Sequence, residues 1–379
     1  MKELETIEEL EAHLASLADL GDTVIQGLDL SSHGPALLKV NLAGATFLGC
    51  QLDDSVTRAA LDAGALVFPS IPDIPYAPYR GLLYSVEELY SGFDPERPQS
   101  YAHTLDARIY QHFLRTGGSK PASILETLAR RLHDHAVTDA MRDLLYDVRQ
   151  PRRIVAIMGG HGMARGSAEY AQVARIAREL AERGYFMVSG GGPGAMEATH
   201  LGVWFAGRAD AELVQGLELL AQAPTFDHPH WLSRAFEVRR RLPATELVPS
   251  LGVPTWLYGH EPPNAFASHV AKYFANSVRE DGLLTIATSG VVFAPGSAGT
   301  IQEIFQDACQ NHYKTAGVVS PMVFLGEAFW KWKSPVFPLL SQLAAGREYA
   351  QFLSITDRDS EVVRVIEEYA ASNPPPSFP

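Results

Sequence analysis

Short apolar runs alternate with helical patterns along the chain from Arg152 onward. Strands that are apolar throughout and separated by helices are typical of a parallel sheet that is covered by helices on both faces. The predicted strands are Ile154–Met158, Tyr185–Ser189, Val253–Tyr258, Gly290–Ala294, Pro321–Leu325 and Gln351–Ile355. The pattern therefore predicts an α/β fold with a doubly wound parallel sheet.

One stretch of this region, from Leu201 to Pro249, is too long for a simple crossover between strands. We interpret it as an additional helical insertion. It is locally basic, and its arginines either form a solvated helix face or contact phosphate or another subunit. These arginines are Arg234, Arg239, Arg240 and Arg241.

The first 150 residues follow a different pattern. Leucine and isoleucine recur at helical spacing between Leu4 and Leu17, which predicts an amphipathic helix near the N-terminus. In residues 38–53, Leu42, Phe47 and Leu52 recur every five positions. This spacing indicates either turns of a pentapeptide-type β coil or a chance alternation in a small strand pair.

An extended connector rich in proline and tyrosine is predicted at residues 69–81, followed by helices over 104–116 and 121–148. Asp106 is a possible N-cap of the first of these helices. We therefore expect two regions: an N-terminal accessory or regulatory region over residues 1–150, with helices and a short β segment, and a nucleotide-binding domain over residues 151–379.

Composition narrows the class of protein. Hydrophobic residues make up 46% of the chain and charged residues 20%, which is ordinary for a globular protein. The net charge of −13 repels nucleic acid, so DNA or RNA is not an expected partner. Two cysteines exclude a disulfide scaffold and favour a reducing, cytoplasmic compartment. No run reaches the ~18 apolar residues of a membrane span, so no membrane partner is expected.

The candidate chemistry lies where the first, second and fourth predicted strands end, each in a glycine turn followed by a helix. At the carboxyl ends of parallel strands, free N–H groups of a helix N-terminus and the helix dipole favour an anion. Glycine lets the backbone approach the ligand closely. The three turns are Met158-Gly159-Gly160-His161-Gly162, Ser189-Gly190-Gly191-Gly192-Pro193-Gly194 and Pro295-Gly296-Ser297-Ala298-Gly299-Thr300.

Two common nucleotide motifs are missing from these turns. The first turn lacks G-x-G-x-x-G with an acid ~20 residues later, and the chain has no G-K-[ST]. These absences disfavour a hydride-transfer enzyme and an ATP-cleaving enzyme.

Two segments carry a resemblance to a known family. SGGGPGAMEA at residues 189–198, together with PGSAGTIQE at 295–303, resembles the LOG ("lonely guy") family of nucleoside 5′-monophosphate phosphoribohydrolases. Many of its members bear the older label of lysine decarboxylase-like proteins. HEPPN at 260–264 resembles the larger bacterial nucleotide 5′-monophosphate nucleosidases. The resemblance covers residues ~150–345 and implies a Rossmann-like nucleotide-binding fold.

The resemblance also implies a reaction: cleavage of the N-glycosidic bond of a nucleoside 5′-monophosphate to free base and ribose 5-phosphate. It implies that Glu303 and Arg279 are the catalytic residues. We expect no cofactor and no metal. Members of the family are commonly homo-oligomers, so a dimer or tetramer is expected. The substrate-binding residues that the resemblance implies are Gly159, Gly160, Ser189, Gly190, Gly191, Gly192, Gly194, Met196, Glu197, Gly296, Ser297, Ala298, Gly299 and Thr300.

Several positions allow a second interpretation. Thr300 and Glu303 have the spacing of a helix capping box. Arg279 lies sixteen residues before Pro295, one more than in the family, and could instead pair with Glu280 or Asp281 on the surface. Glu197 is either a ligand contact or an acid favoured at a helix N-terminus.

Ser297 replaces the second glycine of the family motif P-G-G-x-G-T-x-x-E. Its hydroxyl either adds a phosphate contact or marks a weaker site. The alternative function is a non-catalytic carrier or sensor of a nucleotide or cofactor on the same fold.

Overall fold

The computed structural model describes residues 2–17, 19–121, 123–146, 151–244 and 248–375. The chain divides into two compact units. The first comprises Met1–Leu83 and Gln111–Asp143, and the second comprises Tyr84–Tyr110 and Leu144–Pro379. The second unit thus includes a segment that precedes its sheet in the chain. In the described part of the chain, no helix is long and apolar enough to cross a membrane.

The first half of the chain alternates short strands with helices and ends in two longer helices. Its elements are β1 (Lys2–Leu4), α1 (Ile7–Ser16), β2 (Thr23–Gln26), α2 (Gly34–Leu37), β3 (Thr46–Leu48), α3 (Asp54–Asp62), β4 (Leu66–Phe68), α4 (Val86–Leu89), α5 (Leu105–Arg115) and α6 (Ile124–Leu145).

The second half is the alternating region that the sequence pattern predicts. Its elements are β5 (Ile154–Met158), α7 (Ala168–Glu182), β6 (Phe186–Ser189), α8 (Ala195–Trp204), α9 (Asp210–Ala221), α10 (Trp231–Arg241), β7 (Ser250–Gly252), β8 (His269–Val270), α11 (Asn276–Ile286), β9 (Gly290–Phe293), α12 (Ala298–Tyr313), β10 (Met322–Leu325), α13 (Val336–Ala344), β11 (Leu353–Thr356) and α14 (Asp359–Ser372).

The first unit contains a four-stranded parallel sheet in the order β1-β2-β3-β4. Thr23 pairs with Lys2, Thr46 pairs with Val24 and Leu66 pairs with Thr46, so equivalent positions recur about every 21 residues. Each repeat is one strand and one helical segment, and neither can bury its apolar face alone. Stacking the repeats buries a continuous core.

Both interpretations of residues 38–53 are therefore wrong. Within this range β3 is the one strand, and its partners, β2 and β4, lie outside the range. Leu42 and Phe47 are fully buried in one repeat, and Leu52 packs partly buried against the same core. The true repeat is longer than five residues, because a strand and a helical segment together occupy about twenty residues before an equivalent apolar position recurs. The five-residue spacing of Leu42, Phe47 and Leu52 therefore lies inside a single repeat.

The second unit contains a seven-stranded parallel sheet in the order β11-β10-β9-β5-β6-β7-β8. The chain proceeds from β5 through β6 and β7 to β8 on one side, then crosses to β9 on the other side. The strand order thus reverses between β5 and β9. Doubly wound sheets bind ligands in the crevice at such a switch point, outside the carboxyl ends of the strands.

The predicted α/β class and Rossmann-like parallel sheet are confirmed. The third predicted strand is misplaced, because the ladder runs over Ser250–Gly252 and residues 256–258 form a 3-10 turn. Pro254 has no N–H to donate to a sheet ladder. Thr255 then accepts a hydrogen bond from the Leu257 N–H through its side chain and so caps the turn.

Candidate functional site

The three glycine turns meet at the switch point. β5 lies between β6 and β9 in the sheet, so the turn after β5 lies between the other two. The Gly160 N–H donates to the Pro295 carbonyl at 3.0 Å, and the Ala195 N–H donates to the Gly160 carbonyl at 3.2 Å. The turns therefore hold one another through their backbones.

The second turn requires glycine for two different reasons, which Gly194 and Gly190 illustrate. Gly194 has φ +68°, a left-handed conformation that other residues rarely adopt, and it lies against the Gly160 carbonyl. At Gly190, a Cβ would overlap the Arg279 guanidinium and the Met196 sulfur. The absence of a side chain at Gly190 therefore lets the Arg279 side chain pass directly over the turn.

The turns form one wall of a cleft with a volume of about 270 Å³. This volume lies just below the usual range for small-molecule sites, ~300–1,000 Å³. The cleft is lined by Gly159, Gly160, His161, Gly190, Gly192, Met196, Pro254, Thr255, Tyr258, Glu261, Arg279, Glu280, Ser297, Ala298, Gly299, Thr300 and Glu303.

The N-terminus of α12 opens into this cleft. Ser297 is the N-cap residue, and its side chain makes no capping hydrogen bond. Its φ of −115° is open to any residue, so serine in place of glycine causes no backbone strain. The exposed Ser297 hydroxyl and the first amides of α12 thus face the space where an anion would bind.

Glu303 and Arg279 lie together at the cleft wall. Arg279 Nη1 is 3.4 Å from Glu303 Oε1, and Arg279 Nε donates to the Val253 carbonyl at 2.8 Å. Both residues are buried. Burial raises the pKa of Glu303 to about 7, although the Arg279 charge opposes this shift.

The capping-box interpretation of Glu303 is wrong. α12 begins at Ala298 with Ser297 as its N-cap, so Thr300 lies within the first turn and cannot cap the helix. The Glu303 side chain contacts Arg279, 24 positions away in sequence. Arg279 does approach Glu280, at 3.9 Å, but from a buried position rather than on the surface.

Sequence reasoning missed two other acids of the cleft. Glu261 Oε1 lies 3.6 Å from His161 Nδ1 and 3.7 Å from His260 Nε2, at the outer rim. Glu280 accepts hydrogen bonds from Asn276 and Gln302. The HEPPN motif was the available signal for Glu261, because it places this residue in a loop beside the predicted site.

Five of the residues implied by the resemblance do not line the cleft: Ser189, Gly191, Gly194, Glu197 and Gly296. Glu197 is fully buried, and both of its carboxylate oxygens bond Arg165, at 2.7 and 2.5 Å. Its Oε2 also accepts from the Tyr170 hydroxyl at 2.9 Å. This network ties the turn after β5 to the first turn of α8.

Ser189 supports the second glycine turn through hydrogen bonds. Its Oγ accepts from the Gly191 N–H at 3.1 Å and lies 2.8 Å from His200 Nε2. His200 Nδ1 lies 3.0 Å from Ser250 Oγ. Complete burial lowers the pKa of His200 to about 3, so the imidazole is neutral and acts in a hydrogen-bonded chain.

A separate group of acids lies in the first unit. Single carboxylate oxygens of Glu3, Glu5 and Asp143 lie within 4.8 Å of one another. Burial and neighbouring acids raise the pKa of Glu5 to about 7. Such groups are common without an ion when they are exposed, as Glu3 is. We assign no metal to them.

Comparison with known proteins adds little to this geometry. No family model matches the chain, and no curated protein matches it in sequence. Solved structures with a similar arrangement include the Moco carrier protein from Chlamydomonas reinhardtii, with 15% identity and a TM-score of 0.37 over 59% of this chain and 99% of that one. Another is the molybdenum cofactor binding protein from Rippkaea orientalis, with 12% identity and a TM-score of 0.35 over 58% and 98%. Similarity at this level says nothing about what the chain binds.

Proposed function

We propose that this protein is a hydrolase that cleaves the N-glycosidic bond of nucleoside 5′-monophosphates, releasing the free base and ribose 5-phosphate. The observation that carries the proposal is the placement of Glu303, with a pKa of about 7, beside Arg279 in a cleft that is also lined by residues of the three glycine turns. The resemblance of residues 189–198 and 295–303 to the LOG family supports the same reaction.

The phosphate binds at the N-terminus of α12 in this proposal. Amides of Ala298, Gly299 and Thr300 donate to its oxygens, and the Ser297 hydroxyl adds a further donor. The helix dipole adds favourable charge without a side chain. This anchor fixes the ribose with its anomeric carbon toward Glu303, which lowers the entropic cost of reaching the transition state.

The charge of the cleft favours a monophosphate over a longer chain. Its described lining has one guanidinium, Arg279, against three acids, Glu261, Glu280 and Glu303, and it has no lysine. A triphosphate would bring further negative charge toward these acids. We therefore expect nucleoside triphosphates to bind much more weakly than monophosphates.

The chemistry needs a group that acts on a developing cation. As the bond between base and sugar lengthens, positive charge develops on the ribose, and an ionised Glu303 stabilises it or accepts a proton from the attacking water. Water supplies the hydroxyl group at the anomeric carbon, and the departing base takes up a proton. Arg279, held by the Val253 carbonyl, orients Glu303 and contributes positive charge near the phosphate.

The test is base release from AMP, GMP, CMP and UMP, followed by chromatography. We expect free base with the wild type and at least a ~100-fold lower rate with Glu303→Gln, which keeps the shape but loses the charge. Monophosphate binding by calorimetry should survive in this variant. Glu348→Gln, a half-exposed acid on another element, is the matched control and should keep the wild-type rate.

A non-catalytic carrier is the competing function, because the same backbone cradle can hold a phosphorylated ligand without cleaving it. Wild-type protein that binds a monophosphate with micromolar affinity, yet releases base from none of the four, would favour the carrier. Protein that binds no monophosphate at all would contradict both the hydrolase and a carrier of nucleotides.

A further inference from the structure

A segment outside the sheet packs on the loop that carries Glu261. We call residues 84–110 the strap and residues 254–263 the Glu261 loop. Both belong to the second compact unit, although the strap precedes the sheet in the chain. The Glu261 loop contributes Pro254, Thr255, Tyr258 and Glu261 to the cleft.

The strap contacts the Glu261 loop at two points close to Glu261. The Tyr90 hydroxyl, on a side chain that is 3% exposed, donates a hydrogen bond to the Pro263 carbonyl. The Tyr110 ring lies against Gly259 so closely that a Cβ at Gly259 would overlap it. These contacts bracket Glu261, one on each side along the chain.

A buried ion pair lies close to the start of the same loop. Lys272 Nζ lies 2.5 Å from Asp106 Oδ1, and both side chains are fully buried. The Tyr101 hydroxyl donates to the other Asp106 oxygen at 2.8 Å. Lys272 Nζ also lies 5.1 Å from the centre of the Trp256 ring, at the beginning of the 3-10 turn that leads to Tyr258. Asp106 is thus an ion-pair partner inside α5, and the prediction that it caps this helix is wrong.

The strap also covers the edge of the sheet. The Tyr84 N–H donates to the Val270 carbonyl at 3.1 Å, and the Val270 N–H donates to the Tyr84 carbonyl at 2.8 Å. This antiparallel bridge pairs β8 on its outer side. An edge strand that is paired in this way is less free to move.

The contacts on the cleft side of Glu261 are weaker restraints. His161 and His260 are 49% and 59% exposed, and ion pairs of exposed side chains contribute little to holding a loop. The Asn264 N–H donates to the Gly191 carbonyl at 2.9 Å and ties the far end of the loop to the second glycine turn. Buried restraints on the middle of the loop come from the strap.

We propose that Tyr90 and the Asp106–Lys272 pair are positioning residues that hold Glu261 in the cleft. They touch no substrate and act through the Glu261 loop. The kinetic part of this proposal rests on the proposed function, because it assumes that Glu261 contacts the bound nucleotide. The structural part requires no activity.

The structural part is tested by amide hydrogen exchange on the full-length protein without ligand. Tyr90→Phe removes one hydroxyl and keeps the ring, so the fold should survive. We expect at least ~5-fold faster exchange in peptides covering residues 257–263, since one buried hydrogen bond is lost. Tyr349→Phe, a buried tyrosine beyond the opposite end of the strands, is the matched control and should leave these peptides unchanged.

The kinetic part is tested by a double-mutant cycle with Glu261→Gln, measured as kcat/KM for base release from AMP. We expect Tyr90→Phe to lower kcat/KM about fivefold in the wild type and not at all in Glu261→Gln. In the second background the contact between the Glu261 carboxylate and the nucleotide is already lost, so its position no longer matters. Equal losses in both backgrounds would overturn a positioning role. The paired replacement Asp106→Asn with Lys272→Met should give the same non-additive result.

The outcomes separate this proposal from the proposed function. If the wild type releases no base, the cycle is measured as AMP affinity, and faster loop exchange in Tyr90→Phe still supports the strap. Unchanged exchange in residues 257–263 overturns the strap even if the wild type is an active nucleosidase.

Discussion

At the scale of single residues, Glu303 is the group whose protonation should control the reaction. Burial raises the pKa of Glu303 to about 7, and the proposed role needs the ionised form. We therefore expect kcat to rise as pH increases through about 7 and to level off above it. A kcat that stays constant between pH 6 and 8 would contradict this role.

Asp307, one turn further along α12, limits the pH range of this measurement. Burial raises the pKa of Asp307 to about 8, well above its value in an unfolded chain. A group with a raised pKa binds its proton more tightly in the folded state, so stability falls as pH rises through that value. The rate is best measured between pH 6 and 8, with thermal melting at each pH as the control for unfolding.

The sequence allowed the identification of those site residues that belong to continuous motifs. Glu303 and Arg279 were predicted through the family resemblance of the segments around them, and both line the cleft. The position of Glu197 could not be predicted, because its partner, Arg165, lies 32 positions away and the pairing depends on the packing of α7 and α8. The same limit applies to Glu261, whose place in the cleft depends on contacts with the strap.

At the scale of elements, the second glycine turn should depend on the hydrogen-bonded chain beneath it. Ser189→Ala removes the acceptor for the Gly191 N–H and a partner of His200. We expect KM for a monophosphate to rise about tenfold, and the free energy of unfolding to fall by about 1–2 kcal/mol. Enzyme kinetics and urea unfolding measure the two effects.

The control for this variant is Ser341→Ala on α13, where the hydroxyl bonds only a carbonyl of its own helix among the described contacts. An unchanged KM in Ser189→Ala would show that the turn keeps its shape without this support.

The fold of the second unit could be predicted because its central strands β5, β6, β9 and β10 are buried on both faces and are therefore mainly apolar. Where a strand is short, as at β7 and β8, no such run exists, and the neighbouring segment Val253–Tyr258 was chosen instead. The repeat of the first unit was missed because each strand is three or four residues long and only a comparison of positions about 21 apart reveals it.

At the scale of the whole molecule, the division into units predicts how truncation should act. A chain that begins at Pro151 lacks the strap as well as the first unit, so the Glu261 loop loses Tyr90 and Asp106. We expect this chain to melt at least ~10 °C lower and to lose base release.

A chain that begins at Tyr84 keeps the strap and should retain base release. It leaves residues 111–143 without the rest of the first unit, so we expect it also to melt below the full chain. Light scattering on both chains also tests whether residues 1–83 are needed for the dimer or tetramer that we expect. Full activity in the chain that begins at Pro151 would contradict the need for the strap.

The mutual support of the three glycine turns has a consequence for how such a protein changes over evolutionary time. In the proposed complex, main-chain atoms hold the phosphate, so most side chains around it could be exchanged without loss of phosphate binding. Substitutions at the edge of the cleft could then change which base is preferred, while the backbone site for the phosphate stays the same. Proteins that descend from one ancestor would therefore keep the shape of this cleft after their amino-acid sequences had diverged beyond recognition.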